Sequence, residues 1–384
     1  MIKRVLRFCL PAAMLFVLLP GAATATTASA LTCGATITTS ITFHANLNCS
    51  AIPGPGLIIG ASGIVIKLNG FSIIGPGGAA GGYTGIANYG YSNVTVNGHN
   101  SVTGKNGKIR NFYYGYYSQN AQAEKVSKVV FVLDGSKNYY GLYTNAGSGN
   151  TYSYLTAKNA YLGFAVYSSA GDKFTHNTLT GNQYGAIEQS SLNDTWTANN
   201  FSYSTTYGYE DDAASTTLTG NTSSHNGGSG FLLNCNGGIT VVVKYNTALY
   251  NGGDGVTSSY CSGSGGSSAF STFTSNKTNH NVGAGISSTF DVNAKFSLNT
   301  ANANTGNGFI FYYPHGSVIT QNVSNSNISG GVYFATAGVY FPSLVSYNSS
   351  SSNGDYGFNA DALVSGSHDT GTGNILGLFN NVSG

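Results

Sequence analysis

The sequence predicts an all-β solenoid, and three observations carry the prediction. The first is a glycine repeat. Gly115, Gly141, Gly163, Gly185, Gly208, Gly230, Gly255, Gly285, Gly308, Gly331 and Gly357 follow one another at separations of 22 to 30 residues, each opening a short apolar run. A period of that length marks a chain of small units, each burying its apolar side against its neighbours. The second is composition. The chain is rich in Gly, Asn, Ser, Thr and Tyr and poor in Glu, Lys and Leu, which disfavours helix and suits short strands broken by turns. The third is a pair of asparagine columns. Asn159, Asn226, Asn251, Asn281, Asn304, Asn327 and Asn353 lie four residues before a repeat glycine, and Asn221, Asn246, Asn276, Asn299, Asn322 and Asn348 lie five residues earlier still. Asn177 and Asn182 keep that spacing with a one-residue shift.

Taken in order, residues 1–30 read as a signal peptide to be excluded from the fold. Lys3, Arg4 and Arg7 form a basic start, Phe8 to Pro20 is apolar, and Ala28-Ser29-Ala30 is a small-residue cleavage site. Residues 31–75 are expected to form the N-terminal cap and first coils, with strands at Leu57-Ile58-Ile59, Ile64-Val65-Ile66 and Ile73-Ile74. Residues 76–370 are the repeat coils and 371–384 the C-terminal end, the whole of 31–384 being one domain. Each coil holds about three strands of roughly 3–5 residues. The residue after each glycine (Tyr116, Leu142, Phe164, Ala186, Tyr209, Phe231, Val256, Ile286, Phe309, Val332, Phe358) forms the inward stack. Stacked asparagines tolerate left-handed turns and can bond one another up the column. Longer steps, Gly85 to Gly115 and Gly255 to Gly285, imply loops leaving the column; Tyr260 to Ser268 is the second of them.

Past the leader, 12 basic residues stand against 13 acidic ones, a net charge of −1, and Arg110 is the one arginine. Phosphate-neutralising proteins need a concentrated basic face, so nucleic acid and anionic membranes are excluded as partners. Four cysteines remain, an even count that suits an oxidising exterior. Of the possible pairings, Cys33–Cys49 and Cys235–Cys261 are expected; the latter two follow Gly230 and Gly255 by five and six residues and should lie on adjacent coils. A secreted monomer is the expected form.

The Gly-apolar repeat with its Asn-x4-Asn turns resembles the single-stranded right-handed parallel β-helix of pectate lyases, polygalacturonases and related proteins, with about 12–14 coils. Cys33-Gly34-Ala35-Thr36-Ile37, Leu47-Asn48-Cys49 and Gly56 through Gly75 are similar to the opening coils of secreted bacterial members. The resemblance implies a polysaccharide partner, with lyase, glycoside hydrolase or uronate epimerase as the possible activities; the same coil also carries inert rods. The catalytic signatures match only in fragments. Asp211-Asp212 fits the Asp-Asp of polygalacturonases, but their Asn-Thr-Asp, Gly-His-Gly and Arg-x-Lys are missing, and Tyr313-Pro314-His315 keeps two residues of the Asp-Pro-His of uronate epimerases.

The residues themselves offer one charge cluster. Glu188 and Asp211 each stand three residues past a repeat glycine and should stack one coil apart, with Glu210 and Asp212 flanking Asp211. Carboxylates this close cannot all ionise easily, as general acid catalysis of glycoside cleavage requires; they could equally hold Ca²⁺ or form a solvated strip. Glu188, Asp211, Asp212 and His176 are the catalytic candidates, with Lys173 the nearest cation; no metal ligand set and no certain cofactor is assigned. Fifteen of the 27 tyrosines fall between Tyr113 and Tyr209. Tyr117 and Tyr143, two past their glycines, should form an outward column suited to sugar rings, with Glu210 and Trp196 beside them for substrate binding. His225, His315 and His368 read as surface turn residues. The favoured reading is a secreted protein that binds, and in one version cleaves or epimerises, an extracellular polysaccharide. The other is a non-catalytic rod of the cell surface or matrix.

Overall fold

The apolar runs and turn residues wind into a parallel β-solenoid in the computed structural model, which describes residues 31–77, 82–132, 140–236, 239–261, 271–336, 342 and 344–383. The expected signal peptide and most of the loop at 260–268 lie outside these residues. Each coil contributes one strand to each of three faces. The first sheet holds fifteen strands, from Ala35–Ile37 to Phe379–Ser383, and the second thirteen, from Ile41–Thr42 to Leu344–Ser346. The third runs in segments of six, three and two strands, bridged through Asn200 and Thr300 into one column. All strand pairs within the sheets are parallel. Among the described residues no helix is long and apolar enough to cross a membrane.

Register follows from side-chain size. In the first sheet Tyr116 pairs with Leu142, then Phe164, Ala186, Tyr209 and Phe231, each buried behind the sheet. The glycine before each is required by space. A Cβ on Gly185 would lie 2.2 Å from the carbonyl oxygen of Gly208, and one on Gly163 would lie 2.3 Å from that of Gly185. Only glycine lets consecutive coils close to the spacing of about 4.8 Å that strand pairing demands.

The asparagine columns close two corners. At the corner between the second and third sheets, Asn276 Nδ2 donates to Asn299 Oδ1 at 3.0 Å and to the Val243 carbonyl at 2.8 Å. Its Oδ1 accepts from the Asn246 backbone N–H at 2.9 Å and the Asn246 amide at 3.2 Å. The pattern repeats from Asn177 through Asn348, where Asp369 takes the last place. A second column runs from Asn226 to Asn374 at the corner between the third and first sheets. Asn159 was expected in it but stands one residue early, at φ 59°, and Ala160 occupies the rung, donating its N–H to Asn182 Oδ1. The residue before each rung takes a left-handed conformation, often without being glycine: His176, Tyr203, His225, Tyr245, Tyr250 and His280 all do. Such a turn exposes its side chain and aims the following amide inward, which is why bulky aromatics are admitted there.

Both expected disulfides form. Cys33–Cys49 has its Cα atoms 5.7 Å apart, and Cys235–Cys261 joins adjacent coils at 4.8 Å.

Replacing Asn276 by Leu removes four hydrogen bonds and strands buried partners, each costing about 1–3 kcal/mol. We expect a loss of roughly 3 kcal/mol or more of stability by chemical denaturation, against little change for Tyr245→Ser on the exposed turn beside it.

Candidate functional site

Alternation along a strand sends successive side chains to opposite faces of the sheet, and this divides the acidic cluster. Glu188 and Asp211 do stack one coil apart, paired in the first sheet with Gln189 against Asp212. Both lie three past a glycine, hence on the same side as Tyr209 one past it, and both are buried with 0% exposure. Glu210 and Asp212 take the outer face. The three consecutive acids therefore cannot converge on one ion or one substrate, and among the described residues no group of three or more His, Cys, Asp or Glu is placed to hold a metal. His176 is elsewhere, on the corner between the second and third sheets, stacked on Tyr154 at 4.9 Å. Trp196 is also interior, 0% exposed and stacked on Phe174 at 3.9 Å, so it offers no face to a ligand.

Inside the solenoid the carboxyls form a polar seam that sequence reasoning missed. Asn150, Asp172 and Asp194 recur at 22-residue steps and cap one another: the Asn150 N–H donates to Asp172 at 2.8 Å and the Asp172 N–H to Asp194 at 2.7 Å. Glu124 at the head of the seam accepts from Asn88, Tyr116, Ser118 and Tyr152. Glu188 Oε2 accepts from Trp196 Nε1 at 2.6 Å and Tyr209 Oη at 2.5 Å. No cation enters. Burial first, and then the neighbouring Asp211, raises the Glu188 carboxyl to about 8. Burial and then Glu188 raise Asp194 to about 9, and burial lifts Asp211 well above the ordinary range. Glu188 Oε1 and Asp194 Oδ2 are buried with no hydrogen-bond partner, and repulsion from Glu188 adds to the burial that disfavours an ionised Asp194. The group is a protonated core network, closed to solvent, with no route for general acid catalysis on a polymer.

The outer face of the first sheet is open, and it carries the aromatic bias. Tyr117 and Tyr143 lie on adjacent strands with ring centroids 5.1 Å apart and planes within 3°. Tyr114 and Tyr140 repeat the stack at 5.0 Å, edge-on to the first pair. Tyr89 and Tyr167 extend the row at either end, at 5.6 and 5.4 Å. Beyond Tyr167 the strip turns polar. Gln189 Nε2 donates to Asp212 at 3.1 Å, Asn236 Nδ2 donates to the same carboxylate at 2.9 Å, and Glu210 faces Tyr167 and Tyr184. Burial and then the repulsion of Asp212 raise the Glu210 carboxyl. Desolvation and neighbouring tyrosines push Tyr114 up to about 12, so these hydroxyls stay neutral donors. A second aromatic column, Tyr203–His225–Tyr250–His280, stacks at 4.9 to 5.2 Å along the corner between the third and first sheets. His368 stacks on Tyr347 in the same way at 4.6 Å, on the corner between the second and third sheets.

The seam makes stability depend on pH with a definite sign. Glu188 and Asp194 hold protons in the folded chain up to about pH 8 and 9, but lose them near the ordinary carboxyl range once unfolded. Between those limits the folded state binds more protons, so stability falls as pH rises. We expect a melting temperature higher at pH 5 than at pH 9. Glu188→Gln, whose amide can serve the same partners, should flatten that slope; an unchanged slope would mean the seam does not titrate with folding.

Residues 140–301 match the family described as a right-handed β-helix region. No curated protein matches the chain. Among solved structures it is similar to the periplasmic alginate epimerase AlgG, at 15% identity over 85% of this chain and 77% of that one, with a TM-score of 0.46. It is also similar to the A-module of the mannuronan C-5 epimerase AlgE6 of Azotobacter vinelandii, at 14% identity, 91% and 90% coverage and a TM-score of 0.41. Pectate lyase Pel9A gives 16% identity, 87% and 72% coverage and a TM-score of 0.35. By its own strand topology, this chain has the fold of a right-handed parallel β-helix.

Proposed function

We propose that this is a secreted protein that binds an extracellular polysaccharide lengthwise along the outer face of its first sheet. The observation that carries the reading is the tyrosine strip: part-exposed rings in contact on consecutive coils, Tyr89, Tyr117, Tyr143 and Tyr167, at centroid steps of 5.1 to 5.6 Å with the central pair stacked. Aromatic faces bury the apolar side of a sugar ring while their hydroxyls meet its polar rim. A row of them spanning four coils, roughly 14 Å at the strand spacing, suits a polymer better than a single small ligand. Gln119, Asn145 and Gln189 lie beside the row as neutral hydrogen-bonding groups. Two disulfides support the secreted location.

Binding without turnover is the form of this reading that the geometry favours. Two of the three carboxyls expected to do chemistry, Glu188 and Asp211, are sealed in the core, and His176 stands on another corner. The outward pair that remains is Glu210 and Asp212, and Asp212 is already engaged by Gln189 and Asn236. Affinity electrophoresis against a panel of soluble polysaccharides should retard the chain in at least one. Tyr117→Ala with Tyr143→Ala should weaken that retardation about tenfold, the equivalent of about 1.4 kcal/mol. Retardation by no polymer, or by the double variant as strongly as by the native chain, would overturn the proposal and leave a structural rod. Release of reducing or unsaturated ends would overturn binding without turnover.

A further inference from the structure

Charge is sorted by face in this solenoid. The fifteen strands of the first sheet contain Glu188, Glu210, Asp211, Asp212 and Asp361, and not one Lys, Arg or His. Among the described strands, the basic side chains are on the other two sheets. Lys67, Lys125, Lys173, Lys244 and Lys295 are on strands of the second sheet, and Lys108, Arg110, Lys158 and Lys277 on strands of the third. Of the first sheet's acids, Glu188 and Asp211 face the core, which leaves the outward charge of the strip negative: Glu210 beside Tyr167 and Tyr184, Asp212 one strand position on, and Asp361, which accepts from Tyr333 Oη at 2.6 Å. Everything else along the tyrosine row is an uncharged donor or acceptor, such as Tyr117, whose hydroxyl donates to Gln119 at 3.1 Å.

From this we infer that the ligand of the tyrosine strip is a neutral polysaccharide, not a polyuronate. The inference rests on the proposed binding along this face and deepens it. A polyuronate carries a carboxylate on every residue. Laid along the strip it would bring its anions against Glu210 and Asp212 with no cation on the sheet to offset them, and like charges juxtaposed at a partly desolvated surface are disfavoured. A bridging divalent ion would need converging carboxylates, and among the described residues no group of three or more His, Cys, Asp or Glu is placed to hold one. A neutral glycan meets none of these penalties. Its C–H faces stack on the rings, and its hydroxyls can donate to Glu210 and Asp212, for which acceptor-only carboxylates are well suited.

The test is a comparison of affinities of the native chain for neutral polymers (glucan, mannan, xylan) and for polygalacturonate and alginate, at low salt, with and without Ca²⁺. We expect at least one neutral polymer to bind about tenfold or more tightly than either polyuronate, with the gap narrowing as salt screens the repulsion. Glu210→Lys should shift the preference toward polyuronate by about fivefold or more, since it replaces repulsion with attraction at the acidic end of the strip. Polyuronate binding equal to or tighter than neutral binding, in either Ca²⁺ condition, would overturn the neutral assignment while leaving glycan binding intact. So would a preference that Glu210→Lys does not move. Binding to no polymer at all would overturn both.

Discussion

Everything in this molecule depends on consecutive coils lying directly above one another at the spacing of paired strands. Two devices enforce it. A glycine column lets the backbone of one coil approach the carbonyls of the next where a methyl group would collide. Asparagine columns then tie the corners, each side-chain amide bonding to its neighbour, to a carbonyl of another coil and to a backbone N–H. The glycines permit the approach and the asparagines satisfy the buried amides that the turns would otherwise orphan. Because each coil touches only its neighbours, stability accumulates along the axis and no distant contact is needed to hold the register.

Stacking then converts a linear period into surface columns, so residues that are 22 to 30 apart in sequence become neighbours. Side-chain alternation decides which face they reach. Tyr116 and Tyr117 illustrate the consequence: one donates its hydroxyl to Glu124 inside the core and the other stacks on Tyr143 outside it. The same rule applied to Glu210, Asp211 and Asp212 makes one acid a core group and its two neighbours surface groups. A run of three carboxyls is therefore two unrelated features, a protonated interior and an anionic exterior.

The fold was legible because its signals are repeated. Any one glycine or asparagine says little, but the columns fix sheet, corner and facing together, and the disulfide between Cys235 and Cys261 follows from their places in adjacent coils. The site was less legible, for a specific reason. Glu188 and Asp211 stack as their spacing predicts, but their facing depends on parity: two positions on from the buried Ala186 and Tyr209, both point indoors. Trp196 had a comparable signal: it occupies the column of Phe174, Leu218, Val243 and Phe273, all apolar and buried. The corner seam was also written in the sequence, as Asn150, Asp172 and Asp194 at constant spacing. What no spacing could give is the protonation of that seam, which depends on how completely the coils exclude water. Asn159 shows the limit of counting from one landmark, since a single-residue change in the following turn moves the true rung to Ala160.

The interior carboxyls and the exterior charge pattern bear on each other. Ionised, a buried acid needs a cation or a full set of donors, and Glu124 has such a set in four hydroxyl and amide groups. Glu188 has two donors and Asp194 only the Asp172 N–H, and burial raises both carboxyls, which keeps this part of the core uncharged. Were they ionised, their field would reach the outer face of the same sheet through only one strand thickness. Next to the rings the charge is then that of Glu210 and Asp212, both at one end, with Asp361 farther along the same sheet, while the rings from Tyr89 to Tyr167 present an uncharged surface. An aromatic row with a single acidic terminus is directional, with rings at one end and hydrogen-bond acceptors at the other.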